Sequence, residues 1–125
     1  MNKYRAPIPT ESAEQIALFE WAAYQAHVFP ELELLHHIPN GGQRNARTAA
    51  RLKAEGVKPG IPDIFLPVAR GMWHGLYIEL KRQRGGKLSD AQFEWLERLR
   101  VEGYYAVRCN GAEEAQRVIL EYLRR

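Results

Sequence analysis

Two acids and a lysine in the middle of the chain, Asp63, Glu79 and Lys81, have the types and the spacing to act on a phosphate. Asp63 sits in Ile61 to Pro67 and Glu79 in Leu76 to Lys81, two apolar runs that read as strands joined by a loop containing Arg70-Gly71 and His74-Gly75. A hairpin turning near Gly71 leaves each acid eight residues from the turn. They then lie side by side across the strands, with Cβ atoms about 4.5 to 5.5 Å apart. Burying a carboxylate on a sheet is costly unless it is paired or binds a cation. Two that close repel each other unless a divalent ion neutralises them, and hard oxygen ligands suit Mg²⁺ or Mn²⁺. Strand alternation places Lys81 and Tyr77 on the face of Glu79, while Leu76, Ile78 and Leu80 point the other way. Such a patch has the parts for hydrolysing a phosphodiester. The cation polarises the phosphate and lowers the pKa of a bound water, and the ammonium orients that water or offsets developing charge.

The charge distribution points to the same class of partner. Lys and Arg number 18 against 15 Asp and Glu, a net charge of only +3, but the charges are segregated. Glu11 to Glu33 holds five glutamates and no Lys or Arg, whereas Arg44 to Lys87 holds ten basic residues against Glu55, Asp63 and Glu79. A domain with one strongly basic half fits a polyanion such as nucleic acid, because neutralising phosphates releases counterions.

The elements that must position these residues follow from the chain's punctuation. Residues 1 to 9 end in Ala6-Pro7-Ile8-Pro9 and read as an extended arm, and Thr10 or Ser12 caps a helix over about residues 12 to 26 whose many apolar positions imply packing on two sides. A short strand is expected at Leu34 to Ile38, then a break at Pro39-Asn40-Gly41-Gly42. The next helix runs from about Gln43 to Glu55, ends at Gly56, and sets Arg44, Arg47 and Arg51 on one face. After the hairpin, Ser89 caps a helix to about Glu102, Tyr104 to Cys109 forms a strand, and Ala112 to about Leu123 forms a last helix. The order αβαββαβα is that of one mixed α/β domain over residues 1 to 125, a size typical of single domains.

Several classes are excluded. No stretch nears the roughly 18 apolar residues of a membrane span, and Met1 to Glu11 has no apolar run for a signal peptide, so a cytoplasmic protein is expected. Cys109 alone forms no internal disulfide and holds no zinc; at the end of an apolar strand it reads as a small core residue. His36 and His37 face opposite ways as strand neighbours and take no assignment. The three tryptophans read as core or rim packing, with a partner contact the alternative for Trp73 in the hairpin loop.

The pattern Pro62-Asp63, then Glu79-x-Lys81, resembles the signature of the PD-(D/E)xK nuclease superfamily. Its surroundings resemble the VRR-NUC (virus-type replication-repair nuclease) branch: His37-Ile38-Pro39-Asn40-Gly41-Gly42 upstream, Val57-Lys58-Pro59-Gly60 as lead-in, and Leu88-Ser89-x-x-Gln92 downstream. The resemblance covers about residues 12 to 123. It implies a restriction-endonuclease-like core with a mixed sheet flanked by helices, and Mg²⁺- or Mn²⁺-dependent cleavage of DNA. Small stand-alone members occur in phages and bacteria and resemble dimers that cleave Holliday junctions, which suggests work in DNA repair inside a bacterial or phage-infected cell.

Carried over by position, Asp63 and Glu79 are metal ligands, joined by the backbone carbonyl of Leu80, and Lys81 is the catalytic lysine. The resemblance also implies an acid on the first helix. Glu11, Glu14 and Glu20 are the candidates, and Glu14, which shares a face with Ala17, Leu18 and Trp21, is the choice. Gln92 contacts the lysine or a substrate phosphate. Arg44, Arg47, Arg51, Lys53 and Lys58 supply phosphate contacts beside the site, and Arg82, Arg84 and Lys87 extend that track. The alternative is a nucleic-acid-binding module that kept a nuclease fold without activity; the intact acids argue for the enzyme, because a pure binder gains nothing from acids facing a polyanion. A homodimer is expected, since two symmetric nicks at a four-way junction need two copies of one site. Its candidate interface is the last helix, through Val118-Tyr122 or Leu120-Leu123, or else the first helix near Phe19 and Trp21.

Overall fold

Thr10 starts the first helix: its side chain accepts the N–H of Ala13 at 3.1 Å, which satisfies one of the donors that a helix N-terminus leaves free. In the computed structural model, which describes residues 6–40 and 45–125, helix α1 spans Glu11–Gln25. It buries one stripe, Glu14, Leu18 and Ala22 at four-residue spacing, and leaves Ile16 and Tyr24 exposed. The expected two-sided packing is therefore replaced by a single buried face. Of the arm read over residues 1 to 9, only 6 to 9 fall among the described residues.

The strand expected at Leu34 to Ile38 is shorter. Pro30, which presets φ, opens a 3₁₀ turn over Pro30–Leu34, and only His36–His37 forms strand β1 at the sheet edge. Helix α2 spans Ala46–Ala54, later than the expected start at Gln43, because Asn45 caps it by accepting the N–H of Thr48 at 2.8 Å. Gln43 and Arg44 lie outside the described residues. Helix α2 buries no residue at all, so packing does little to hold it.

Strand β2 is Ile64–Leu66 and β3 is Leu76–Lys81. Prolines 62 and 67, which have no N–H for the ladder, trim the expected Ile61 to Pro67 from both ends. The two strands pair antiparallel as Ile64↔Ile78, Phe65↔Tyr77 and Leu66↔Leu76, every pair centred on Gly71, whose φ of 55° suits the turn. Ser89 then forms a complete capping box with Gln92 and launches α3, Asp90–Val101. Strand β4, Tyr105–Asn110, returns parallel to β3, and α4 spans Ala112–Leu123. The sheet order is β1-β2-β3-β4.

Helices α1 and α4 pack together on the sheet face of Leu76, Ile78 and Leu80, all fully buried, with Leu18, Ile64, Leu66, Ala115 and Ile119 around them. Each buried side chain of that size contributes about 1.5 to 3 kcal/mol. The last helix is corrected as a docking surface. Tyr122 and Leu123 are buried, Val118 packs against the core, and the Tyr122 hydroxyl donates to Val68 O at 2.5 Å. An amphipathic helix spends its apolar stripe on the nearest sheet when one is available. Trp73 likewise packs inward, edge-on to Tyr105 at 5.4 Å. Cys109 is buried, and burial pushes its thiol up to about 12, which makes it an inert core residue. Among the described residues, no helix is long and apolar enough to cross a membrane.

Candidate active site

Asp63 lies one residue before β2, and several hydrogen bonds hold its backbone and side chain. Its carbonyl accepts the N–H of Ile38 at 2.6 Å and lies 2.8 Å from Nδ1 of His37, which ties the edge strand to the site. Its side-chain Oδ2 accepts the N–H of Leu80 at 3.0 Å across the hairpin. That bond points one carboxylate of the pair directly at the strand carrying the other. Leu80 touches the acids through this N–H, while its side chain is buried in the core on the opposite face.

Glu79 and Lys81 are both buried, on the face that α3 covers. Gln92, in the first turn of α3, spans the two: its Nε2 donates to Glu79 Oε1 at 3.0 Å, and its Oε1 accepts from Lys81 Nζ at 3.1 Å and from the Ser89 N–H at 2.9 Å. Of the two partners expected for Gln92, the lysine is the one in contact. Lys81 Nζ also stands 3.6 Å from Glu79 Oε1. The other oxygen, Glu79 Oε2, is buried with no hydrogen-bond partner. Such a group costs on the order of 1 to 3 kcal/mol or more when charged. Burial first, then the charge of Asp63, push the Glu79 carboxyl up to about 8 against the opposing pull of Lys81.

The third acid is Glu11. Carboxylate oxygens of Glu11, Asp63 and Glu79 lie within 4.8 Å of one another, graded from exposed Glu11 through half-buried Asp63 to buried Glu79. The donor set is all oxygen, the charge is negative, and one buried oxygen lacks a partner, so these residues fit a hard divalent cation. The cluster opens to solvent on the Glu11 side. The choice of Glu14 as the first-helix acid is thereby corrected. Glu14 is buried as its helical face requires, but its Oε2 accepts the N–H of Ala112 at 2.9 Å and its Oε1 accepts from Gln83 Nε2 at 3.2 Å. Inward direction picked a glutamate outside this cluster, because the cluster opens at the helix start, where a first-turn acid reaches it from the rim. The usable signal was Thr10: a cap there makes Glu11 the first helical residue.

Arg47, Arg51, Lys53 and Lys58 are exposed on α2 and the segment after it, as are Arg82, Arg84 and Lys87 beyond β3. Arg51 spends part of its charge on Glu55, 3.5 Å away, an exposed pair of small energetic weight. The predicted contact at Arg44 lies outside the described residues. A basic side chain not singled out from the sequence is Arg108, directly opposite Glu79 in the parallel ladder; it is half-buried and donates to Gly86 O at 2.6 Å and Asn110 Oδ1 at 2.9 Å, which steadies the glycine turn after Lys81.

The model of the VRR-NUC domain matches residues 9–113. The chain belongs to the VRR-NUC family. A solved structure described as a VRR_NUC domain protein is similar to it at 34% identity, covering 95% of this chain and 92% of that one with a TM-score of 0.83. No match was found among curated proteins. VRR-NUC membership and the mixed four-stranded sheet agree with the nuclease-type fold expected from Pro62-Asp63 and Glu79-x-Lys81.

Proposed function

We propose that the protein is a Mg²⁺- or Mn²⁺-dependent endodeoxyribonuclease acting on branched DNA, four-way junctions foremost, as a homodimer in the cytoplasm, with the whole chain as one catalytic domain. The observation that carries the reading is the partnerless, buried Oε2 of Glu79 inside the Glu11, Asp63, Glu79 cluster, with an ammonium held beside it. A pure binding module has no use for a buried acid that repels its own ligand.

In this reading Glu11, Asp63 and Glu79, with the carbonyl of Leu80, hold the cation. When bound, the ion supplies charge neutralisation for the scissile phosphate and an acidified water. Asp63 is kept in place by the Leu80 N–H, and Glu79 by Gln92. Lys81, oriented by Gln92, places its ammonium to guide the attacking water or meet the charge that develops on the phosphate. Arg47, Arg51, Lys53 and Lys58, and beyond β3 Arg82, Arg84 and Lys87, contact phosphates on either side without reading sequence. For the dimer, α1 is the better face now that α4 is occupied by the core, with Ile16 and Tyr24 exposed on it.

Incubation of purified protein with Mg²⁺ or Mn²⁺ and labelled single strands, duplexes, flaps and four-way junctions tests the reading. Paired nicks in junctions, lost on chelation, are expected. Binding without any cleavage in either metal would overturn it.

A further inference from the structure

Glu14 is a buried acid that the chemistry above does not use, and its surroundings are built for it. Gly111 is the N-cap of α4 and has no side chain to close the free N–H groups there; Glu14 reaches across from α1 and accepts the Ala112 N–H instead. A Cβ at residue 111 would stand 2.7 Å from Glu14 Oε2, so the glycine, with φ of 90°, makes room for that carboxylate. The same turn is fixed to the catalytic strand, because Gly111 N–H donates to Lys81 O at 2.8 Å. Gln83, two residues past Lys81, donates to the other Glu14 oxygen. Over the first two turns of α1, from Glu11 to Ala17, Glu14 is the one buried residue. The helix start that presents Glu11 to Asp63 and Glu79 is therefore anchored by this buried carboxylate before the core is reached at Leu18.

We infer that Glu14 is a positioning residue: by capping α4 in place of a side chain at Gly111, and by accepting from Gln83, it locks the first turn of α1 against the end of β3 and so holds Glu11 over the cation. This rests on the reading that Glu11, Asp63 and Glu79 take a divalent cation. A carboxylate at the N-terminus of α4 also meets the positive end of the helix dipole, which explains a Glu rather than an apolar side chain in a buried place.

The test is Mn²⁺ binding alone, measured by calorimetry on folded full-length protein without DNA. Glu14→Ala is expected to weaken binding by about 10- to 100-fold, the range in which groups that orient metal ligands act. Glu14→Gln and Gln83→Ala, milder changes that keep part of the network should the alanine variant fail to fold, shift it in the same direction. In a Glu11→Ala background, Glu14→Gln produces no further loss, since the ligand it positions is gone. Tyr122→Phe, which removes the donor to Val68 O far from the site, lowers the melting temperature and leaves the Mn²⁺ affinity alone. Wild-type affinity in Glu14→Gln and Gln83→Ala, or additive losses with Glu11→Ala, would overturn the inference while leaving the metal site standing. Affinity unmoved by Glu11→Ala itself would overturn both.

Discussion

Gln92 holds Lys81 by its amide oxygen at 3.1 Å while the same oxygen closes the capping box that starts α3. One atom thus serves both the helix start and the Lys81 ammonium. The amide's other end holds Glu79, so the relative placement of Glu79 and Lys81 depends on where α3 begins.

Gln92→Ala should accordingly lower kcat by about tenfold or more, as expected for loosening a group that assists proton or charge movement, while DNA affinity stays near wild type. It also removes half of the capping box and costs about 1 kcal/mol of stability. Single-turnover cleavage and thermal melting measure the two effects. An unchanged kcat would show that Lys81 needs no support from α3.

Asp63→Ala, Glu79→Gln and Lys81→Ala should each abolish cleavage with the fold intact. Removing an acid relieves repulsion, so the metal-free melting temperature of the two acid variants should hold or rise. Cleavage retained by Asp63→Ala, in preparations free of contaminating nuclease, would sink the site assignment.

The pH dependence of stability follows from Glu79. Its carboxyl is pushed from 4.5 up to about 8, so between those values the folded chain keeps a proton that the unfolded chain has released. Metal-free stability must therefore fall as pH rises through that window. Glu79→Gln should flatten the fall and melt higher at pH 8.5, by on the order of 5 °C if about 1 kcal/mol is recovered. Added Mn²⁺ should raise the wild-type melting temperature at that pH and not that of Glu79→Gln. A wild-type profile that is flat, or that rises with pH, would contradict the burial of this acid.

Arg47 and Arg51 are exposed on a helix with no buried residue, a placement suited to phosphates rather than to the core. The double alanine variant should weaken DNA binding and lower the slope of log affinity against log salt by about 2 if each meets one phosphate. Cleavage at saturating enzyme should persist. A salt slope equal to wild type would mean that α2 faces away from the DNA.

Light scattering at micromolar concentration should give about twice the chain mass of 14.4 kDa, and Ile16→Asp with Tyr24→Asp should return the protein to one chain length. A wild-type mass near 14.4 kDa, unchanged by junction DNA, would leave a monomeric flap or end nuclease as the better reading.

What the residues determined by themselves is local or periodic. The two strands flank Gly71 symmetrically, so the register that sets Asp63 against Glu79 could be counted along the chain, and alternation then put Lys81 beside Glu79 and Leu80 behind it. Ser89 announced its helix as a cap, and the structure added Gln92 as the residue that completes a capping box with it. The choice between Glu11 and Glu14 was of another kind. Both sit at the start of one helix, three residues apart, and nothing in their own neighbourhood says that the first meets Asp63 and the second meets Ala112, nearly a hundred residues away. Whether α4 turned its apolar stripe to a partner or to the sheet was likewise settled by the packing of Leu18, Ile78 and Ile119 around it. Hydrogen bonds and burial between distant segments depend on how the helices dock on the sheet, and that docking is a property of the whole chain.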